Sequence, residues 1–260
     1  MKSYRIELPA VKQDAEDLPV RLERFAARYR KVLDAGHIVC LTDNALGKIA
    51  FQGHELIEYL DLPVPQGKVM VHLNTFHTLK ELHEIVDACA RLGVADLLVV
   101  SGDGSSRQSR LEPEDIHAAG AVTVTSVELL VYLRKVYGSA FRYGVAFNPY
   151  EPPEHEMEKL GRKLAAGAEF IITQPVLSPS PAIDALRRTS PVPLHLEAWM
   201  SPNIGLLTQC IGIEPPVQGA FDPMATLRDL ERAYPETEIY LALLDFKNQF
   251  PQLTPSGDPT

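Results

Sequence analysis

Residues 96–107, DLLVVSGDGSSR, decide how the rest of the chain is read. Asp96, Leu97, Leu98, Val99 and Val100 form a short apolar run of the kind parallel strands show when both faces are covered. The run passes directly into Ser101-Gly102-Asp103-Gly104, a flexible polar turn that carries one carboxylate. An apolar strand ending in such a turn is how an α/β fold presents a side chain at the carboxyl edge of its sheet, so Asp103 is the first candidate for site chemistry. The same glycines also suit a tight turn that Asp103 merely caps, and the stretch by itself leaves both readings open. It is not a dinucleotide-binding fingerprint, because the third glycine at the required spacing is missing.

Similar strand ends recur on both sides of it. Upstream are Tyr4–Leu8, His37–Thr42 and Val69–Leu73; downstream are Phe141–Phe147, Glu169–Thr173, Pro193–Glu197 and Glu238–Leu244. Helical stretches separate them. Leu22, Phe25, Ala26, Tyr29 and Val32 share one helix face, and Leu82, Ile85, Val86, Cys89 and Leu92 another. The second of these opens on a Thr78/Glu81 capping box and stops at Gly93. Further helices are expected near residues 55–60, 126–137, 153–166, 181–188, 203–210 and 224–233. The alternation matches a single-domain (β/α)8 TIM barrel over residues 1–250, with a doubly wound sheet as the competing fold and 251–260 as a flexible tail. Ser105–Glu112 reads as a polar, mobile loop. A barrel gathers its strand ends on one face: Glu7, Thr42, His72 with Asn74, Asp103, Asn148, Gln174, Glu197 and Asp245.

Composition narrows the chemistry. Lys and Arg total 25 against 34 Asp and Glu, a net charge of −9 that offers no general attraction to nucleic acid or an anionic membrane. The three cysteines Cys40, Cys89 and Cys210 are far apart and form no CxxC pair, which argues against a disulfide framework or thiolate metal site and suggests a cytoplasmic protein. No secretory leader or membrane span is expected. The histidines are scattered and no HxH follows the first strand, so no metal centre is expected. No lysine ends a strand to form a Schiff base, and no GxSxG elbow is present. What remains is a mouth of carboxylates and amides suited to binding and protonating a neutral, nitrogen-rich heterocycle. Glu7, at the end of an apolar strand, reads either as a general acid with a raised pKa or as a solvated rim charge. A lone His72 on a strand reads more readily as a hydrogen-bonded core residue than as a ligand.

Several of these pieces resemble the methylenetetrahydrofolate reductases. They are His72-Leu73-Asn74; Gly93 followed by DLLVVSGD; Val145-Ala146 through Pro149; and Gly161-Arg162-Lys163-Leu164-Ala165-Ala166-Gly167-Ala168 followed by Ile172-Thr173-Gln174. The resemblance is best from Val69 to Pro175. It implies a barrel that holds FAD and passes hydride from NADH or NADPH to 5,10-methylenetetrahydrofolate, giving 5-methyltetrahydrofolate. It further implies that Glu7 protonates N10, that Asp103 offsets charge beside the pterin, and that Gln174, with Asp103 and Asn74, binds folate. Thr42, His72, Ser101, Gly102, Asn148, Arg162 and Lys163 would face the flavin. For Arg162 and Lys163 a solvated helix face, with Glu158 and Arg162 paired at i,i+4, is the competing reading. Ser101 stands where the family usually has arginine and Asn148 where it has tyrosine, and the loop after Pro149 is shorter. The folate half of the resemblance is therefore fuller than the flavin half. Two alternatives follow: a flavin-independent one-carbon enzyme, or a folate-binding accessory subunit. A homo-oligomer fits either.

Overall fold

The computed structural model describes residues 2–212 and 221–253. Its strands are β1 (Tyr4–Leu8), β2 (Ile38–Leu41), β3 (Val69–Leu73), β4 (Asp96–Val99), β5 (Arg142–Phe147), β6 (Phe170–Thr173), β7 (Leu194–Ala198) and β8 (Glu238–Ala242). All pair in parallel and in chain order, and β1 closes on β8 with Ile6 opposite Leu241, giving a closed (β/α)8 barrel. The helices are α1 (Leu18–Asp34), α2 (Gly53–Tyr59), α3 (Leu79–Leu92), α4 (Ser126–Tyr137), α5 (Pro153–Ala165), α6 (Pro181–Thr189), α7 (Ile204–Ile211), α8 (Pro223–Ala233) and α9 (Phe246–Leu253).

The capping box at α3 forms as the sequence requires. Thr78 Oγ1 accepts from the Glu81 N–H at 3.2 Å and the Glu81 carboxylate accepts from the Thr78 N–H at 2.7 Å, while Gly93 ends the helix at φ 79°. Leu82, Ile85, Val86 and Cys89 are buried against the sheet, at roughly 1.5–3 kcal/mol for each large side chain. Outward strand residues such as Ile6, Val39, Val71 and Leu97 join this helix-facing core.

The alternate residues point into the barrel and stack in layers. The floor is ionic. Asp96 accepts from Arg5 Nη1 at 3.0 Å and from Arg142 Nε and Nη2 at 2.8 Å each, and Glu238 accepts from Arg5 Nε at 3.0 Å with His195 Nδ1 3.1 Å away. Above it lies an apolar plug of Ile38, Cys40, Met70, Leu98, Phe170 and Ile172. Gly144 is required here, because any Cβ would run into the Phe170 ring. Toward the carboxyl ends of β1, β3, β7 and β8 the inward residues are Glu7, His72, Glu197 and Tyr240, which is the top layer.

The floor has a pH consequence. The His195 contact, helped by Arg5, holds the Glu238 carboxyl down to about 2 from an ordinary 4.5. A carboxylate depressed by folding adds stability above its unfolded pKa, and that contribution drains as pH falls from about 4.5 toward 2. Glu238→Gln is therefore expected to flatten the acid-side fall of Tm in this window relative to the wild type, as read by thermal scans across pH.

Two expectations are corrected. Ser105–Glu112 is pinned rather than free: the Leu111 N–H donates to the Thr75 carbonyl at 2.9 Å and the Leu111 side chain is buried. The tail does not begin at 251, because Phe246, Phe250 and Leu253 bury one face of α9, with the Phe246 and Phe250 rings stacked 4.7 Å apart. The remainder of that expected tail, 254–260, lies outside the described residues.

Candidate active site

The top layer walls a cavity of about 400 Å³ at the carboxyl-terminal mouth. Glu7 ends β1 inside it, and its Oε2 accepts from the Tyr240 hydroxyl of β8 at 2.6 Å. The same hydroxyl lies 3.1 Å from His72 Nε2 of β3. Burial pushes the His72 imidazole down to about 4, so it is neutral near pH 7. Burial pushes Glu7 up, with the Tyr240 hydrogen bond opposing it, and Tyr240 itself is held far above the usual phenol range. Glu197, on β7, lies in the same cavity, and burial reinforced by the charge of Glu7 raises its carboxyl well above the usual range. The enclosing surface is otherwise largely apolar: Leu98, Val100, Ile172, Trp199 and Leu206. The Trp199 indole N–H is buried there with no hydrogen-bond partner among the described residues.

Asp103 stands on the exposed rim, where Oδ2 accepts from the Leu46 N–H at 2.9 Å. Gly102 and Gly104 both have positive φ, 80° and 60°, and the Phe76 ring occupies the space a Cβ at Gly104 would need. Both glycines are thus demanded by packing as well as by backbone conformation. Gln174 follows β6. Its N–H donates to the Phe147 carbonyl at 2.7 Å, while its carboxamide makes no hydrogen bond among the described residues and faces the cavity. Thr42 also lines the mouth, its Oγ1 accepting from the Ala10 N–H at 3.0 Å.

Of the strand ends gathered from the sequence, Glu7, Thr42, His72, Asp103, Gln174 and Glu197 meet at this mouth. Asn74, Asn148 and Asp245 do not. Asn74 is buried under the rim, where its Nδ2 donates to the Asp43 carbonyl at 3.0 Å and its Oδ1 accepts from the Phe76 N–H at 2.7 Å. Its amide braces the loop, and Asn74 does not line the cavity. Asp245 opens α9, accepting from the Asn248 amide at 2.7 Å. Tyr240, Trp199, Lys12 and Lys48 were missed by looking only at strand ends. For Tyr240 the signal was present, since it shares the inward phase of Glu238 one step earlier on β8.

A second cavity of about 550 Å³ adjoins the first, sharing Val100, Gly102, Asp103, Ala146 and Gln174. It holds Ser101, Gly102, Asn148, Arg162 and Lys163, five of the seven residues expected to face the flavin, while Thr42 and His72 line the first. Ser101, Asn148 and Lys163 each also contact the protein itself. Ser101 Oγ accepts from the Ser126 N–H at 3.2 Å, closing the start of α4, and Asn148 Oδ1 accepts from the Tyr150 N–H at 3.0 Å. Lys163 is buried rather than on a solvated face, and its ammonium donates to the Ala146 carbonyl at 2.6 Å. Neighbouring Lys159 is held between Glu151 and Glu156 at 2.8 and 2.7 Å. Arg162 is exposed and forms no ion pair among the described residues, with Glu158 or any other carboxylate.

The fold and this arrangement define a class: a (β/α)8 barrel whose ionisable groups converge at the carboxyl-terminal mouth, where such barrels build their sites. The methylenetetrahydrofolate reductase family model matches residues 9–180, more than half of the 260-residue chain. The chain belongs to the methylenetetrahydrofolate reductase family, a folate-related reductase family. Glu7, Glu197 and Tyr240 lie outside the matched stretch. Among solved structures, oxaloacetate acetylhydrolase is similar at 12% identity and TM-score 0.54, covering 97% of this chain and 79% of that one. A 2,3-dimethylmalate lyase of the PEP mutase/isocitrate lyase superfamily is similar at 15% identity and TM-score 0.50, with 97% and 79% covered. At such identities the likeness is one of fold. Among the described residues no helix is long and apolar enough to cross a membrane.

Proposed function

We propose that this chain reduces 5,10-methylenetetrahydrofolate to 5-methyltetrahydrofolate with NADH or NADPH as the hydride donor. The observation that carries the reading is the meeting of Glu7, Asp103 and Gln174 at one mouth, in a chain of this family. In this reading Glu7 gives a proton to N10 of the substrate, the N10–methylene bond breaks, and N5 shares its lone pair to form the iminium. Asp103, a carboxylate at the rim, offsets the positive charge as it develops. The uncommitted Gln174 amide offers both a donor and an acceptor to the pterin edge. Hydride then adds to the methylene carbon, and the apolar walls keep water from competing for it.

Resident FAD would meet little free positive charge here. Lys163 donates to the Ala146 carbonyl and Lys159 is neutralised by two carboxylates, which leaves Arg162 as the cation to meet a diphosphate, beside the Ser101 hydroxyl and the Asn148 amide N–H groups. That supports hydride transfer directly from a nicotinamide that binds and leaves as a substrate. The test is a spectrum and an assay on freshly purified protein. A colourless preparation that oxidises NADH or NADPH when methylenetetrahydrofolate is added is expected. A yellow protein whose turnover stops on flavin removal contradicts direct transfer, and no turnover in either state contradicts the reductase.

Lys12 and Lys48 are exposed on the mouth and form no ion pair among the described residues. The glutamate tail of a folate carries carboxylates that they can meet. Exchanging either for Glu is expected to raise KM for methylenetetrahydrofolate roughly fivefold, the equivalent of about 1 kcal/mol for an exposed pair. Initial rates should show kcat unchanged and the KM difference narrowing in high salt.

A further inference from the structure

Glu197 has no part in the chemistry just described, yet it is a half-buried carboxyl in the cavity with no hydrogen-bond donor among the described residues. On the barrel it is opposite Tyr240, whose hydroxyl donates to Glu7, so β7, β8 and β1 set Glu197, Tyr240 and Glu7 side by side in one layer. The Glu197 N–H donates to Thr173 Oγ1 at 3.1 Å, but its carboxyl accepts no hydrogen bond and meets no cation among the described residues. The titratable groups facing it are Glu7 on β1, Tyr240 on β8, His72 on β3, Tyr150 before α5 and Cys210 on α7. Tyr150 turns its hydroxyl to the Pro175 carbonyl at 2.6 Å, and His72 contacts Tyr240. On the rim stand Asp103, Lys12 and Lys48. None of these gives Glu197 a donor.

The asymmetry between the two carboxyls decides where a proton rests. Glu7 receives a hydrogen bond that stabilises its ionised form, whereas no side chain donates to Glu197 among the described residues and its neighbour is like-charged. Half-buried beside a like charge and with no donor, the ionised form is disfavoured, which shifts the group toward its protonated form. From this geometry, and on the reading that the mouth opens a methylenetetrahydrofolate ring, we propose that Glu197 stores the proton that Glu7 delivers to N10. The directions of shift agree, since both carboxyls are raised and Glu197 more strongly, as in a pair that shares one proton. In the cycle the proton leaves the Glu197 hydroxyl for a Glu7 oxygen and then for the N10 lone pair. The N10–methylene bonding electrons stay on N10, hydride from the nicotinamide fills the iminium carbon, and the Glu197 carboxylate regains a proton from solvent. Charge and protons balance without any further reactant.

The experiment compares wild type, Glu197→Gln, Glu197→Asp and Glu7→Gln by infrared spectroscopy at pH 7 and by kcat across pH. The wild type is expected to show the carbonyl stretch of a protonated carboxylic acid, retained in Glu7→Gln and lost in Glu197→Gln. Glu197→Gln is expected to lose at least ~10² in kcat at pH 7, within the range for a group that transfers protons, while still binding 5-methyltetrahydrofolate. Its fall in kcat with rising pH should begin at lower pH, because Glu7 alone gives up its proton sooner, and Glu197→Asp should restore the wild-type limb. An unchanged infrared band, or a Glu197→Gln enzyme with wild-type kcat and pH profile, overturns the proposal. Should the wild type not turn over the folate at all, the reductase reading fails, and the infrared band alone decides whether Glu197 holds the proton.

Discussion

Glu7→Gln is expected to lower kcat for methylenetetrahydrofolate reduction by ~10²–10⁴ while leaving the affinity for 5-methyltetrahydrofolate close to wild type. Gln at this position still accepts the Tyr240 hydroxyl, so the wall of the cavity survives, but it has no proton to give. The loss therefore falls on the step in which N10 becomes a leaving group. Steady-state rates together with equilibrium binding of the product separate the two effects. Full activity in this variant would mean that ring opening draws its proton from another group, or that the barrel serves as an accessory subunit.

The second large effect is at the other end of the barrel. Asp96→Ala removes the carboxylate that both Arg5 and Arg142 grip, and Arg5 is only 3% exposed. Stripping one partner from a buried ion pair costs about 3–5 kcal/mol, because the remaining charge is left without compensation. For a domain of this size that corresponds to a Tm lower by about 10 °C. Catalysis at 25 °C should be spared, since the plug of Cys40, Met70, Leu98, Phe170 and Ile172 separates the floor from the mouth. Differential scanning calorimetry with a parallel rate assay checks both halves. Replacing Arg5 and Asp96 together with apolar residues should recover much of the loss, which a cavity effect alone would not allow.

The barrel was legible because its signals are local. Apolar runs such as Leu97–Val100 and capped helices such as Thr78–Gly93 specify their own elements, and the strand ends then follow from the fold. Period two along the strands also carried the layering, with Arg5 and Glu7 on one phase of β1 and Glu238 and Tyr240 on one phase of β8. What stayed hidden were contacts made across strands distant in sequence. Nothing near Asn74 announces that Asp43 and Phe76 will consume its amide. Nothing near Lys163 announces that its ammonium will be buried against Ala146. The α9 helix was obscured by Pro251, although its apolar residues keep helical spacing. Glu197 was visible as a strand end, but its isolation from any donor depends on residues from five other segments.

The most direct test of the account follows the hydride itself. Protein free of flavin is mixed with methylenetetrahydrofolate and with NADH or NADPH carrying deuterium at both C4 positions, and the methyl group of the product is analysed by mass spectrometry. One deuterium per 5-methyltetrahydrofolate formed is the predicted result. No oxidation of either nicotinamide, or a methyl group that has lost the label to water, would contradict it.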